Sequence, residues 1–429
     1  LKIESNAFDG CNALKDVYYA GDKATYNNIN FMQHNSVVLS AKWHFANCDH
    51  VYKSTTTNAT CTINGKIVYT CTECGDTYEE PIKAQGHTAG DWEIVTEATT
   101  EADGLKIKKC SVCNKTVEEK VIPRVLKIKG RTLALQSNIS IIFRVDPVYF
   151  TTHGYSNPVV VFNFNGNEYR VSEYTVNADG VYEYVFAEAA PHQMKDMVTA
   201  VLEAEYEGEV YTSAAMEYSI YTYCNNQINK YYTNTSAKKL MALLVDILNY
   251  GAAAQDVLGY KLDNLANAEL TEAQKALGYQ GAIEYKDEKN LSLNPVENGI
   301  ADFKSVGLAL QDAVTVNFKF ALADGATTDG LKAVVTAAGQ TWEIEAKDFG
   351  YEVGNKGPRY VIVFEELNPA QMRDVITVQI VKDGEVVSDT ATYSIESYGL
   401  STAAQGNAKL AALVEAMARY GRSAAATVA

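Results

Sequence analysis

The residues best placed to do chemistry in this chain are its cysteines. Six of the eight lie between Cys48 and Cys113, and four of these form two C-x-x-C pairs, Cys71 with Cys74 and Cys110 with Cys113. Such pairs bind a metal, close as a disulfide or exchange with one, and their surroundings decide which. A redox pair sits at a helix N-terminus, where the thiol pKa is lowered. Here the pairs follow "KIVYT" and "LKIKK", which read as strands entering a turn, so redox catalysis is the weakest reading. Structural zinc takes four nitrogen or sulfur ligands in a closed tetrahedron. Cys61, Cys71 and Cys74, with either Cys48 or His50, supply four for the first pair. The second pair has His87, Cys110 and Cys113, but Thr100 stands where the third thiolate is needed. Its site is expected to be degraded, empty or closed as a disulfide, and a disulfide also competes with zinc at the first.

The pairs belong to an internal repeat. At the offset of 39 residues that carries Cys71 onto Cys110, Gly65 falls on Gly104, Ala59 on Ala98, Cys61 on Thr100 and Cys48 on His87. A unit of about 40 residues buries too little apolar surface to offset its chain entropy, so a metal or disulfide staple is expected.

Little else in the chain is chemically suggestive. It has no G-x-S-x-G, no G-x-x-x-x-G-K-[ST] and no H-E-x-x-H, the signatures of nucleophile elbows, phosphate loops and metalloproteases. Its acidic residues are too numerous for one pair to mark a glycosidase. A net charge of -16 argues against nucleic acid as a partner, because that binding needs cations against phosphates. No apolar run approaches the roughly 18 residues of a membrane span, so no membrane insertion is expected. The chain therefore reads as no enzyme.

The elements that carry these residues fall into several domains, as 429 residues imply. The fold class expected is multidomain and mainly β, and 28 tyrosines fit abundant strands. Residues 1–46 place Ile3, Ala7, Phe8, Cys11, Leu14 and Val17 at the short spacings of a solenoid coil. The opening "LKIESNAFDG" has no Met or signal pattern and reads as an excised or processed product. Residues 47–85 and 86–123 are the two cysteine units. Residues 124–260 and 300–429 form a larger duplication, separated by 261–299, a linker that is either ordered spacer or hinge. "ALQSNISIIFRV" (134–145) pairs with "ALQDAVTVNFKF" (309–320) in period-two alternation, Pro191, Met194 and Asp196 match Pro369, Met372 and Asp374, and "YSI" recurs. Asp196 is expected to cap a turn through nearby backbone. Each copy ends in an apolar helical stripe, "KLMALLVDILNYGAAAQ" and "KLAALVEAMARYG". Each copy is thus an antiparallel β-sandwich closed by its own C-terminal helix and folding by itself, with Leu243 and Leu413 against its sheet.

The first segment resembles the end of bacterial BspA-like leucine-rich repeats, matching I-x-x-x-A-F-x-x-C-x-x-L-x-x-V almost position for position, and the resemblance implies that Cys11 is a packed repeat residue rather than a nucleophile. The cysteine units resemble small C-x-x-C repeats of surface proteins of gut Firmicutes, and the duplicated modules resemble C-terminal regions of such proteins. These resemblances imply an extracellular setting, at the cell surface or secreted, and carry no biochemical activity. The function expected is adhesion to a host or dietary macromolecule, a host protein or glycan. A stalk for an upstream repeat array, or the accessory region of a larger enzyme, are the alternatives.

Overall fold

The computed structural model describes residues 1–135, 139–291, 296, 299–310 and 314–428. It divides into two compact units, Leu1–Arg124 and Val125–Ala429. Among the described residues, no helix is long and apolar enough to cross a membrane.

The first unit opens with strands β1 (Lys2–Ile3), β2 (Asp16–Tyr19), β3 (Asn30–Phe31) and β4 (Lys42–Phe45). Helix α1 (Lys23–Asn27) precedes β3 and α2 (Ser36–Ser40) precedes β4. β1 pairs with β3 and β2 with β4, both in parallel, so the chain winds in one sense. Tyr26, Phe31, Trp43 and Phe45 pack ring to ring beside these ladders. Cys11 is exposed, not packed as expected, because it lies in the turns between β1 and β2.

Two antiparallel meanders follow: β5 (Tyr52–Thr57), β6 (Gly65–Cys71) and β7 (Thr77–Ile82), then β8 (Ala89–Thr96), β9 (Gly104–Cys110) and β10 (Thr116–Ile122). In each, the middle strand pairs with both neighbours. The recurrent Gly and Ala have a steric cause. A Cβ on Gly65 would lie 2.3 Å from the Thr57 carbonyl oxygen and 2.4 Å from the Ala59 nitrogen, and one on Gly104 2.5 Å from both Thr96 O and Ala98 N. The loop leaving the first strand folds back onto the second at that point, and that loop carries Cys61. Gly65→Ala is therefore expected to destabilise the first meander by about 1–3 kcal/mol. A lowered denaturation midpoint for that meander, followed by hydrogen exchange in the whole chain, would confirm it; an unchanged midpoint would refute it.

In the second unit the first copy contains β11 (Ile128–Ala134), β12 (Ser140–Val145), α3 (Val148–Thr151), β13 (Ser156–Phe164), β14 (Asn167–Val171), β15 (Thr175–Val176) and β16 (Tyr182–Phe186). β17 (Val198–Tyr206), β18 (Glu209–Thr212) and β19 (Met216–Tyr218) complete its strands, and helices α4 (Ile220–Tyr231) and α5 (Lys238–Leu258) close it. α6 (Glu272–Lys275) and β20 (Asn290–Leu291) lead to the second copy. That copy contains β21 (Ala301–Leu310), β22 (Val314–Leu322), β23 (Leu331–Ala337), β24 (Gln340–Glu345), β25 (Gly350–Gly354), β26 (Gly357–Phe364), β27 (Ile376–Lys382), β28 (Glu385–Val386) and β29 (Ala391–Tyr393). α7 (Thr402–Gln405) and α8 (Ala408–Val428) end it. One copy orders its sheets β11-β12-β16-β15 and β14-β13-β17-β18, the other β21-β22-β26-β25 and β20-β29-β27-β23-β24; each of these ladders is antiparallel, and the duplication extends to topology. Alternation puts Val198, Ala200, Leu202 and Ala204 of β17, and Ile376, Val378 and Ile380 of β27, into the core. Residues 136–138 and 311–313 of the matched strings lie outside the described residues.

The copies do not fold around separate cores, as the sequence leads one to expect. Their buried apolar residues form one cluster, and Leu243 and Leu413 are both inside it. α5 and α8 pack antiparallel: Lys409 pairs with Asp256 at 2.8 Å near one end, and Ser423 donates to the buried Asp246 near the other. Between them Tyr250 stacks on Tyr420, its own counterpart, with centroids 5.9 Å apart. A residue meets its counterpart only on a pseudo-twofold axis. The recurrent Pro-x-x-Met is the seat for these helices. A Cβ on Gly251 would lie 2.7 Å from Met194 Sδ and 3.1 Å from the Pro191 oxygen; one on Gly421 would lie 3.2 Å from Met372 Sδ and 3.0 Å from the Pro369 oxygen.

The turn-cap expectation for Asp196 is corrected here, and of the two alternatives for 261–299 the described residues fit the ordered spacer. Asp196 does not cap a turn: its buried carboxylate accepts from Asn165 Nδ2 at 2.9 Å, Tyr260 Oη at 2.5 Å and Lys261 Nζ at 2.6 Å. Burial would raise its pKa, but these donors hold it below the ordinary carboxylate value. The segment 261–299 is, over its described residues, a packed strap: Ala266, Leu270 and Gln274 are buried, and Gln255 of α5 bonds to the backbone of Asn264 and Ala266. Residues 292–295 and 297–298 of it lie outside the described residues.

Candidate metal centres

The cysteine-unit donors come together as two sets of four. Cys48, His50, Cys71 and Cys74 form one and Cys61, His87, Cys110 and Cys113 the other; within each set the donor atoms all lie within 4.8 Å of one another. Each set can hold a metal ion. Cys48 Sγ is 3.5 Å from Cys71 Sγ, and Cys74 Sγ is 3.4 Å from His50 Nδ1. In the second set Cys61 Sγ is 3.7 Å from Cys110 Sγ, and Cys113 Sγ is 3.3 Å from His87 Nδ1. A tetrahedron with metal–sulfur bonds near 2.3 Å and metal–nitrogen bonds near 2.0–2.1 Å has sulfur–sulfur edges of roughly 3.8 Å and sulfur–nitrogen edges of roughly 3.5 Å. The two pairs in each set with the distances above stand close to those edges, the remaining donors lie within 4.8 Å, and none of the eight cysteines is in a disulfide.

The turns explain why C-x-x-C recurs with Gly75 or Asn114 after it. Cys71 N–H donates to Asp76 O and Gly75 N–H to Cys71 O; Cys110 N–H donates to Lys115 O and Asn114 N–H to Cys110 O. This turn requires a left-handed residue after the second cysteine, and Gly75 (φ 75°) and Asn114 (φ 60°) are the types that accept it. It also aims backbone N–H groups at the first sulfur. The N–H groups of Val112 and Cys113 are the chief cause that lowers Cys110 to about 5. Burial would raise Cys71, but the N–H groups of Cys74 and Glu73, with His50, bring it to about 6. Cys61 and Cys74 are pushed up to about 11, chiefly by burial and then by neighbouring thiols. Without a metal each cluster keeps protons that a cation would displace.

The assignment of Cys61 from sequence is corrected. It belongs to the second set, reaching from the β5–β6 loop of one unit into the cluster of the next, while Cys48 and His50 both serve the first. The second set has four donors, and Thr100, at Cys61's position in the second unit, is half-buried and bonded to Glu101. His87 also changes counterpart: it stands against Cys113 as His50 does against Cys74, although the offset of 39 aligns it with Cys48. Two β-bulges in β8, at Ala89/Trp92 and Ile94/Thr96, absorb the difference, whereas β5 pairs with β6 without interruption. A signal was available in the sequence: six cysteines with His50 and His87 make two sets of four.

No family model and no curated protein matches the chain. Among solved structures, the FN1–FN3 domains of chicken CNTN1 are 9% identical over 80% of this chain and 96% of that one, with a TM-score of 0.17. A Ca2+-stabilized adhesin with which an Antarctic bacterium binds ice is 9% identical over 77% of this chain and 81% of that one, with a TM-score of 0.15. Superpositions this loose leave the fold family unassigned.

Proposed function

We propose that this chain is a non-enzymatic, modular cell-surface or secreted protein that binds a host protein or glycan, with the cysteine units as a zinc-stapled joint and the duplicated unit as the binding body. The observation that carries the reading is closure of both clusters by four protein donors. A catalytic zinc keeps one position for water or substrate, and a structural zinc does not. The buried carboxylates are likewise committed to internal partners: Asp196 to Tyr260 and Lys261, and Glu396 to Arg422. Residues 1–46 are read, on their sequence pattern alone, as the end of a BspA-like array. Tyr174 and Val176 at one sandwich edge, and Tyr351 and Val353 at the other, are exposed apolar side chains of the kind a partner covers. Donation of Cys61 across units favours a stiff spacer for the joint itself. Screening the whole chain against arrayed glycans and host matrix proteins is expected to give a specific capture that weakens when Tyr351 is replaced by Ser. Absence of any capture would reject the binding role and leave the stalk.

A further inference from the structure

A cavity of about 150 Å³ opens on the pseudo-twofold axis of the duplicated unit. Among the described residues its wall is built from counterparts: Tyr250 and Tyr420, Met194 and Met372, Pro191 and Pro369 meet across it. The two walls differ where it matters for space. Ala189 faces the cavity from one copy where the other has Leu367, and Ala187 where the other has Glu365. Room has therefore been left by small residues in the first copy. The floor is buried and the mouth, at Ala187 and Glu365, is exposed. Glu365 is the one charged side chain among the described lining residues.

We infer that this cavity binds a compact apolar small molecule, about the size of a substituted benzene, carrying one uncharged or cationic hydrogen-bonding head group. The volume sets the size and the apolar wall sets the body. Glu365, exposed at the mouth, favours a cationic or uncharged polar head group there and disfavours an anionic one. This site stands apart from the binding of a macromolecule and does not depend on it.

The test uses the whole chain with 2-phenylethanol, 2-phenylethylamine and phenylacetate, followed by ligand-detected NMR and thermal shift. The alcohol and the amine are expected to bind and raise the melting temperature, with phenylacetate weaker than both. Ala189→Leu installs the residue the other copy already uses; it should abolish binding without lowering the melting temperature. Glu365→Gln should weaken the amine several-fold and leave both the alcohol and the fold intact, because the side chain is exposed at the mouth. If Ala189→Leu fails to fold, Glu365→Gln still decides. Failure of both neutral and cationic probes to bind the wild-type chain, tightest binding by phenylacetate, full retention of the alcohol by a folded Ala189→Leu variant, or an amine affinity unchanged in Glu365→Gln would overturn the proposal.

Discussion

Replacing Cys61 with alanine is expected to remove one metal ion from the chain and leave the other in place. The wild-type chain should carry two zinc ions, one for each four-donor set. In the variant the second set keeps only His87, Cys110 and Cys113. Loss of a direct ligand should weaken that site by more than about 100-fold, the upper end of what losing an outer-shell partner costs. Elemental analysis of chelator-free protein counts the ions, and cobalt substitution distinguishes the sites by their thiolate bands. Cys48→Ala is the mirror experiment: it should empty the first site and spare the second. If Cys61→Ala instead lost the metal held by Cys71 and Cys74, each unit would be self-contained. Two metal ions retained in that variant would equally exclude donation across units.

Leu413→Asp is expected to unfold both copies of the duplicated unit together. Leu413 is buried in a core shared by the two sandwiches, on the helix whose Tyr420 stacks on Tyr250. Leu413→Ala should cost about 2–5 kcal/mol, the range for a buried leucine. A carboxylate there adds the penalty of an unpaired buried charge, enough to exceed the stability of most domains. Hydrogen exchange locates the effect: amides of β17 in the first copy and β27 in the second should lose protection in parallel. Protection kept in β17 while β27 is lost would mean that the copies fold independently and merely touch.

Much of this protein is determined by sequence alone, because its signals are local. Period-two alternation sets which side chains of β17 and β27 face inward, and the stripe in "KLMALLVDILNYGAAAQ" makes α5 amphipathic wherever it lands. The C-x-x-C turns are equally local, since a left-handed residue after the second cysteine is a property of a few consecutive residues. Pairing between distant segments was decided by tertiary structure. Offset alignment placed Cys61 in its own unit because the sequence does not show that the loop leaving β5 projects toward the next unit. Two bulges in β8, one residue each, were enough to misalign His87. Asp196 looked like a turn cap because Tyr260 and Lys261, its partners, lie more than sixty residues away. An apolar stripe specifies that something must cover it and leaves the partner open; only the fold shows that α8 turns toward α5, bringing Tyr420 onto Tyr250 and leaving a cavity where Ala189 stands in place of a second leucine.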